Sequence, residues 1–175
     1  MQFTTADPFT ESFQKFNRQA FRFEAQYAYP LGDGREDFER FLAGTPVPPP
    51  ECAWLQPWLR RLSDWTLQGK IVSRVRVLAE PPTDYQRWLV YGHRWMVGAG
   101  EDIQYVHRST AQRLGLPLGH DWWLFDDEWV IEMRFTPQGE VRNTMAVTDR
   151  AAVANYCNWR DTALRNSVTA SIIVA

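Results

Sequence analysis

One eight-residue segment, Ile71–Leu78 (IVSRVRVL), constrains the fold of this chain more than any other. It is rich in β-branched residues and bounded by turn formers, so it reads as a strand. Neighbouring strand side chains point to opposite faces, which puts Val75 and Val77 on one side and Arg74 and Arg76 on the other. The valine face needs a covering layer. The arginines, if turned inward, need partners, because an unpaired buried charge is costly. Those partners are either acidic side chains, in a structural ion-pair network, or an anionic ligand.

The segments around this strand alternate in period. Upstream, Phe9, Phe13, Phe16, Ala20, Phe23 and Tyr27 recur at spacings of four and three, with Gln14, Lys15, Asn17, Arg18 and Arg22 between them. That pattern predicts a long amphipathic helix, stopped by Pro30 and the Gly32-Asp33-Gly34 turn. A short helix follows with Phe38, Phe41 and Leu42 inward, then the stiff proline-rich connector 46–50. Pro57 opens a third helix, Trp58, Leu59, Leu62 and Trp65 form its inner face, and Gly69 ends it.

Downstream of the strand, Pro81-Pro82 breaks the chain, and Thr83 with Gln86 forms a capping box for a helix carrying Tyr85, Trp88, Trp95 and Met96 on one side. Residues 101–106 read as a strand, followed by a loop or short helix through Leu114. Residues 122–125 are continuously apolar, as a buried central strand is. The acidic turn Asp126-Asp127-Glu128 leads into a strand over 129–135, and Pro137-Gln138-Gly139 leads into another over 141–147. Thr148 or Asp149 caps a closing helix with Ala152, Tyr156, Trp159 and Ala163 inward, and the tail 167–175 is frayed or adds a short strand. Helices before and between strands predict an α/β fold. The expected architecture is one domain over 1–175, mainly helical over 1–70 and a sheet with two helices over 71–168. Its mixed sheet of about five strands is covered by helices, with the N-terminal helical segment packed on it.

Length and composition agree with that class. A chain of 175 residues that is 45 % hydrophobic can bury a core without disulfide or metal staples. Nine Trp, ten Phe and six Tyr exceed what a core of this size ordinarily uses, so some rings are expected at a pocket or a contact surface. The net charge of −2 lacks the basic excess of a nucleic-acid binder, so no direct nucleic-acid contact is expected. Cys52 and Cys157 have no paired spacing and read as free thiols in a reducing compartment. No signal peptide begins the chain, and no run reaches the roughly 18 apolar residues of a membrane span, so a cytoplasmic protein without membrane contact is expected.

No dinucleotide-binding, phosphate-loop, nucleophile-elbow or zinc-protease motif is present, and no cofactor or metal is implied. Of the three histidines, His120 stands beside the acidic cluster of Asp121, Asp126, Asp127, Glu128 and Glu132. Paired carboxylates such as Asp126 and Asp127 serve acid–base chemistry, but they also form polar hairpin turns. Asp84 and Arg87 open the helix that follows the arginine-bearing strand.

Residues 73–168 carry VRVLAEPPTDY at 75–85, AGED at 99–102, HDWWLFDD at 120–127 and WRDTA at 159–163. With these segments the chain resembles an actinobacterial family of unknown function marked by an H-D-x-W-L-F-D-D signature. Its members are often encoded beside helix-turn-helix regulators, which implies a regulatory or accessory role and such a regulator as partner. A more distant likeness is to phospholipase D-like domains: His120, Trp122 and Asp127 occupy the spacing of their H-x-K-x-x-x-x-D motif. Trp stands where that motif has its phosphate-binding Lys, and no second copy occurs, which implies a degenerate, non-catalytic relative.

The expected function is therefore a non-catalytic module binding a small ligand or a partner protein at Arg76, Asp84, Arg87, His120, Trp122, Asp126 and Asp127. The alternative is a hydrolase or transferase acting on an anionic substrate through His120 or the Asp126/Asp127 pair.

Overall fold

The chain departs from its own helical pattern at Lys15. In the computed structural model, which describes residues 8–170, α1 spans only Pro8–Lys15 and a strand, β1 (Gln19–Glu24), follows at once. The long N-terminal helix is thus corrected to a short helix and a strand. Residues 20–25 satisfy two periods. Phe21, Phe23 and Ala25 alternate with Ala20, Arg22 and Glu24 as well as a helical stripe would, and pairing with a neighbour on each side decides for the strand. The side chain of Phe9 lies outside the described residues, as do 1–7 and 171–175 and with them the N-terminal stretch read as lacking a signal peptide and the end of the tail.

The remaining elements follow the sequence closely. They are α2 (Arg35–Leu42), α3 (Gln56–Leu67), β2 (Ile71–Leu78), α4 (Asp84–Gly98), β3 (Glu101–His107), α5 (Arg108–Arg113), β4 (Asp121–Phe125), β5 (Trp129–Phe135), β6 (Val141–Val147) and α6 (Arg150–Arg165). Thr83 and Gln86 form the expected capping box on α4, and the Asp149 carboxylate accepts from Ala152 N at 2.9 Å at the start of α6. Asp126 and Asp127 sit at φ 52° and 64° in the three-residue connection between β4 and β5, a left-handed pair closed by the Glu128 N–H donating to Phe125 O at 2.9 Å.

The six strands form one mixed sheet in the order β3-β2-β1-β4-β5-β6, one strand more than the round figure of five. β1, β2 and β3 are parallel, and β1, β4, β5 and β6 are successively antiparallel. A boundary at residue 70 therefore does not separate helices from sheet, since β1 is a central strand.

Helices cover both faces. Under α5 and α6 lie Phe21, Phe23, Val75, Val77, Trp122 and Leu124. Under α1 and α3 lie Ala20, Val72, Trp123, Phe125, Ile131 and Met133, packed on Phe13, Leu62 and Trp65. Trp122 and Trp123 point to opposite faces and both are buried, as neighbours on an internal strand should be. The tail returns to the β3 edge, where Val168 and Tyr105 exchange backbone hydrogen bonds of 2.8 and 2.9 Å.

Candidate functional site

Residues that alternate with the apolar ones on β1, β2 and β4 bring charge into the layer between the sheet and α3/α4. Arg22 and Glu24 come from β1, Arg74 and Arg76 from β2, Glu101 from β3 and Asp121 from β4, and all six side chains are buried or nearly so. Glu24 is the hub. Its two carboxylate oxygens meet Arg74 Nη1 at 2.7 Å, Arg22 Nε at 3.1 Å and Arg76 Nε at 2.5 Å. Arg74 also reaches Glu101, with Nε 2.7 Å and Nη2 2.5 Å from Oε1. Asp121 accepts from Ala25 N at 2.8 Å, lies 3.3 Å from Arg22 Nη2, and receives the Tyr29 hydroxyl.

Three guanidinium groups therefore face three carboxylates, and the network is neutral by itself. Burial works against the Glu24 charge, but the three arginines prevail and hold its carboxyl far below the usual range. For Asp121 burial prevails over Arg22, and its carboxyl is raised. The Tyr29 phenol is raised well above its ordinary value, first by burial and then by Asp121. A cavity of about 10 Å³ touches Glu24, Tyr29, Arg76 and Gln86, which is room for about one water.

A second polar group lies on the opposite face at the start of β4. The Tyr156 hydroxyl donates to Glu132 and stands 3.4 Å from His120 Nε2, and Arg134 Nη2 lies 3.3 Å from the other Glu132 oxygen. Burial lowers the His120 pKa and outweighs the Glu132 charge.

The seven residues expected to share a surface do not share one; His120 lies with Tyr156 and Glu132. Arg76 is in the buried network. Trp122 is fully buried under α6, against Phe21, Phe23 and Tyr156, and is corrected from a ligand-facing residue to a core residue. Asp126 is buried and accepts from the backbone N–H groups of Asn17, Arg18 and Gln19 at 2.7–2.9 Å, tying the start of β1 to the β4–β5 turn. Those three bonds overcome its desolvation and hold its pKa down. Asp127 is exposed and pairs with Arg160. β4 separates it from His120, so the phospholipase D-like spacing does not bring the two side chains together. Asp84 and Arg87 are exposed and pair with each other on the first turn of α4.

Sequence reasoning missed Arg22, Glu24, Glu101 and Tyr29 as members of a site. The signal for the first two was present, since Arg22 and Glu24 alternate with three apolar residues once β1 is read as a strand. Cys52 and Cys157 are free thiols, and burial, followed by Asp37, pushes the Cys52 thiol up to about 12.

The aromatic rings divide into two populations. Trp122, Trp123, Phe16, Phe21, Phe23 and Phe125 are fully buried. On α2 and α4 the rings stand half-buried in mutual contact, joined by the exposed Trp54 ahead of α3. Phe38 lies 5.5 Å from Trp88, Trp88 lies 5.9 Å from Trp54, Phe41 lies 5.8 Å from Tyr91, and Tyr91 lies 5.2 Å from Trp95. α2 buries no residue, and α4 buries only Gln86. Gly34 holds this wall together, because a Cβ there would sit 3.1 Å from the Trp88 ring and 3.2 Å from that of Trp54.

Among the described residues no group of three His, Cys, Asp or Glu side chains is placed to hold a metal, and no helix is long and apolar enough to cross a membrane. Fold and clusters together define a single-domain α/β protein whose sheet carries a neutral interior ion network. The chain belongs to the DUF6879 family, a domain of unknown function, whose model matches residues 7–171. No curated protein matches it.

Proposed function

We propose that this protein is a non-catalytic regulatory or accessory module acting inside the cell, and that it binds a protein partner through the aromatic face of α2 and α4. The observation that carries this reading is the half-buried ladder of Phe38, Phe41, Trp88 and Tyr91 on α2 and α4, with the exposed Trp54 beside it, in a region where α2 buries no residue and α4 buries only Gln86. Tyr and Trp are enriched at interface centres, where a large rigid ring buries much area at small entropic cost. The closed ion network supports the same reading, since Arg76 is engaged by Glu24 and leaves no spare charge for an anionic ligand.

The proposed partner is a helix-turn-helix regulator, which is what the resemblance carried by HDWWLFDD at 120–127 implies. The test is calorimetric titration of the purified protein with helix-turn-helix regulators from the same genome. Binding that Trp88→Ala weakens at least tenfold supports the reading, since central aromatic anchors typically contribute 2 kcal/mol or more, roughly thirtyfold. Binding that ignores Trp88, or no binding, overturns it.

The enzymatic alternative draws on the contact of His120 with Tyr156 and Glu132. Asp126 is committed to backbone N–H groups and Asp127 to Arg160, which leaves His120 as its acid–base group. Turnover of a phosphodiester substrate that disappears in His120→Ala would replace the binding-module reading. We expect none, because Trp122 supplies no charge to a phosphate.

A further inference from the structure

The segment that leads into and out of α2 also carries an acidic excess. Residues 31–54 hold Asp33, Glu36, Asp37, Glu39 and Glu51 against only Arg35 and Arg40. That is a local charge of −3 in a chain of −2, so the remainder of the molecule is slightly basic. Beside the ladder, Asp33, Glu36, Asp37, Glu51 and Trp54 line an open depression of about 480 Å³. Trp54 is 37 % exposed, and its indole N–H donates to Asp37 Oδ2 at 2.6 Å, which orients the ring as one wall. Phe38 on α2 and Trp88 on α4 continue the apolar surface from there.

We propose that this depression receives an arginine or lysine side chain from a basic, amphipathic segment of the partner protein, while an apolar neighbour in that segment packs on Trp54 and Trp88. The inference rests on the binding-module reading and adds the partner's chemistry to it. A guanidinium or ammonium entering here meets carboxylates on one side and an indole face on the other, two environments that each favour a cation. The aromatic rings alone would accept any apolar partner, and the charge beside them selects a basic one.

The probe is a fluorescein-labelled helical peptide of alternating arginine and leucine pairs, followed by fluorescence anisotropy, with a glutamate-for-arginine peptide as counterpart. Two variants of equal charge change separate a built site from general attraction. Glu36→Gln/Asp37→Asn/Glu51→Gln neutralises the depression, and Asp102→Asn/Glu128→Gln/Glu140→Gln neutralises exposed acids elsewhere. Thermal melts confirm that both fold.

The expected result is saturable binding of the basic peptide only, at least tenfold weaker in the depression variant and in Trp54→Leu, and within about twofold of the parent in the other. Equal losses in both triple variants, or no binding of the basic peptide, overturn the proposal. So does a concentration-dependent dimer in sedimentation that Trp54→Leu abolishes, since a second copy would then own the face. If the regulator's affinity falls with Trp88→Ala but not with the depression variant, this inference fails and the binding-module reading survives.

Discussion

The two faces of the sheet are built from the same strands and solve burial differently. Under α5 and α6, Phe21, Phe23, Val75, Val77, Trp122 and Leu124 form an apolar layer whose attraction is non-directional and scales with area. Under α3 and α4, the alternate residues Arg22, Glu24, Arg74 and Arg76, with Glu101 and Asp121, form a layer in which every group depends on a named partner. The parallel register places Glu24 opposite Arg76 and Arg22 opposite Arg74. A slip of one residue would turn these charges into the apolar layer. The apolar layer, together with the apolar cluster that α1 and α3 cover on the other face, thus supplies driving force, and the charged layer penalises the wrong register.

The largest expected effect comes from breaking the charged layer by one member. Arg74→Met leaves Glu24 and Glu101 without their shared partner in a buried site, and should destabilise the protein by about 3–5 kcal/mol in urea unfolding. A loss below about 1 kcal/mol would show that water relieves the network and that the two faces are less different than they look.

Acid should attack the same layer selectively. Glu24 has a folded-state pKa held below its unfolded value near 4.5, so its contribution is complete above that value and is lost as pH falls from there through the folded pKa. Asp126, also held low, adds to the loss, while Asp121, held high, acts with opposite sign. Melting temperature should therefore drop steeply below pH 4.5, which a pH series of thermal melts checks. A flat profile would mean the network is not the acid-sensitive part.

A smaller effect sharpens the other side of the comparison. The Trp122 indole N–H is buried in the apolar layer without a hydrogen-bond partner. Trp122→Phe removes that unsatisfied donor while opening some space, two terms of opposite sign, and should change stability by less than about 1.5 kcal/mol. A larger loss would mean that packing alone dominates there. The smallest effect belongs to His120, whose folded pKa lies below its unfolded value near 6.5 because burial outweighs Glu132. Its neutral form is the stable one, so stability falls as pH drops from 6.5 through the folded pKa. His120→Gln should flatten the melting temperature between pH 7 and 5, and an unchanged slope would place the titration elsewhere.

Much of this architecture was legible because its signals are local. β2, the capping box at Thr83 and Gln86, the Asp126-Asp127 hairpin and the Asp149 cap each rest on residues within a few positions of one another. β1 was not legible, because Phe16, Ala20 and Phe23 fit a helical stripe as well as Phe21 and Phe23 fit a strand. The choice between them was made by β2 and β4, which are distant in sequence. The candidate site suffered from the same gap. Asp126 and Trp122 looked available on the chain, yet the first is consumed by the backbone of residues 17–19 and the second by α6.

By itself the sequence determined the class of fold, the positions of most elements and the need to neutralise inward-facing arginines, because periodicity, caps and turn chemistry act over a few residues. Only the tertiary structure decided which acids meet those arginines, which aromatic rings become core and which stay half-buried on α2 and α4. Those outcomes depend on strand order and register, which bring together residues as far apart as Arg22 and Asp121.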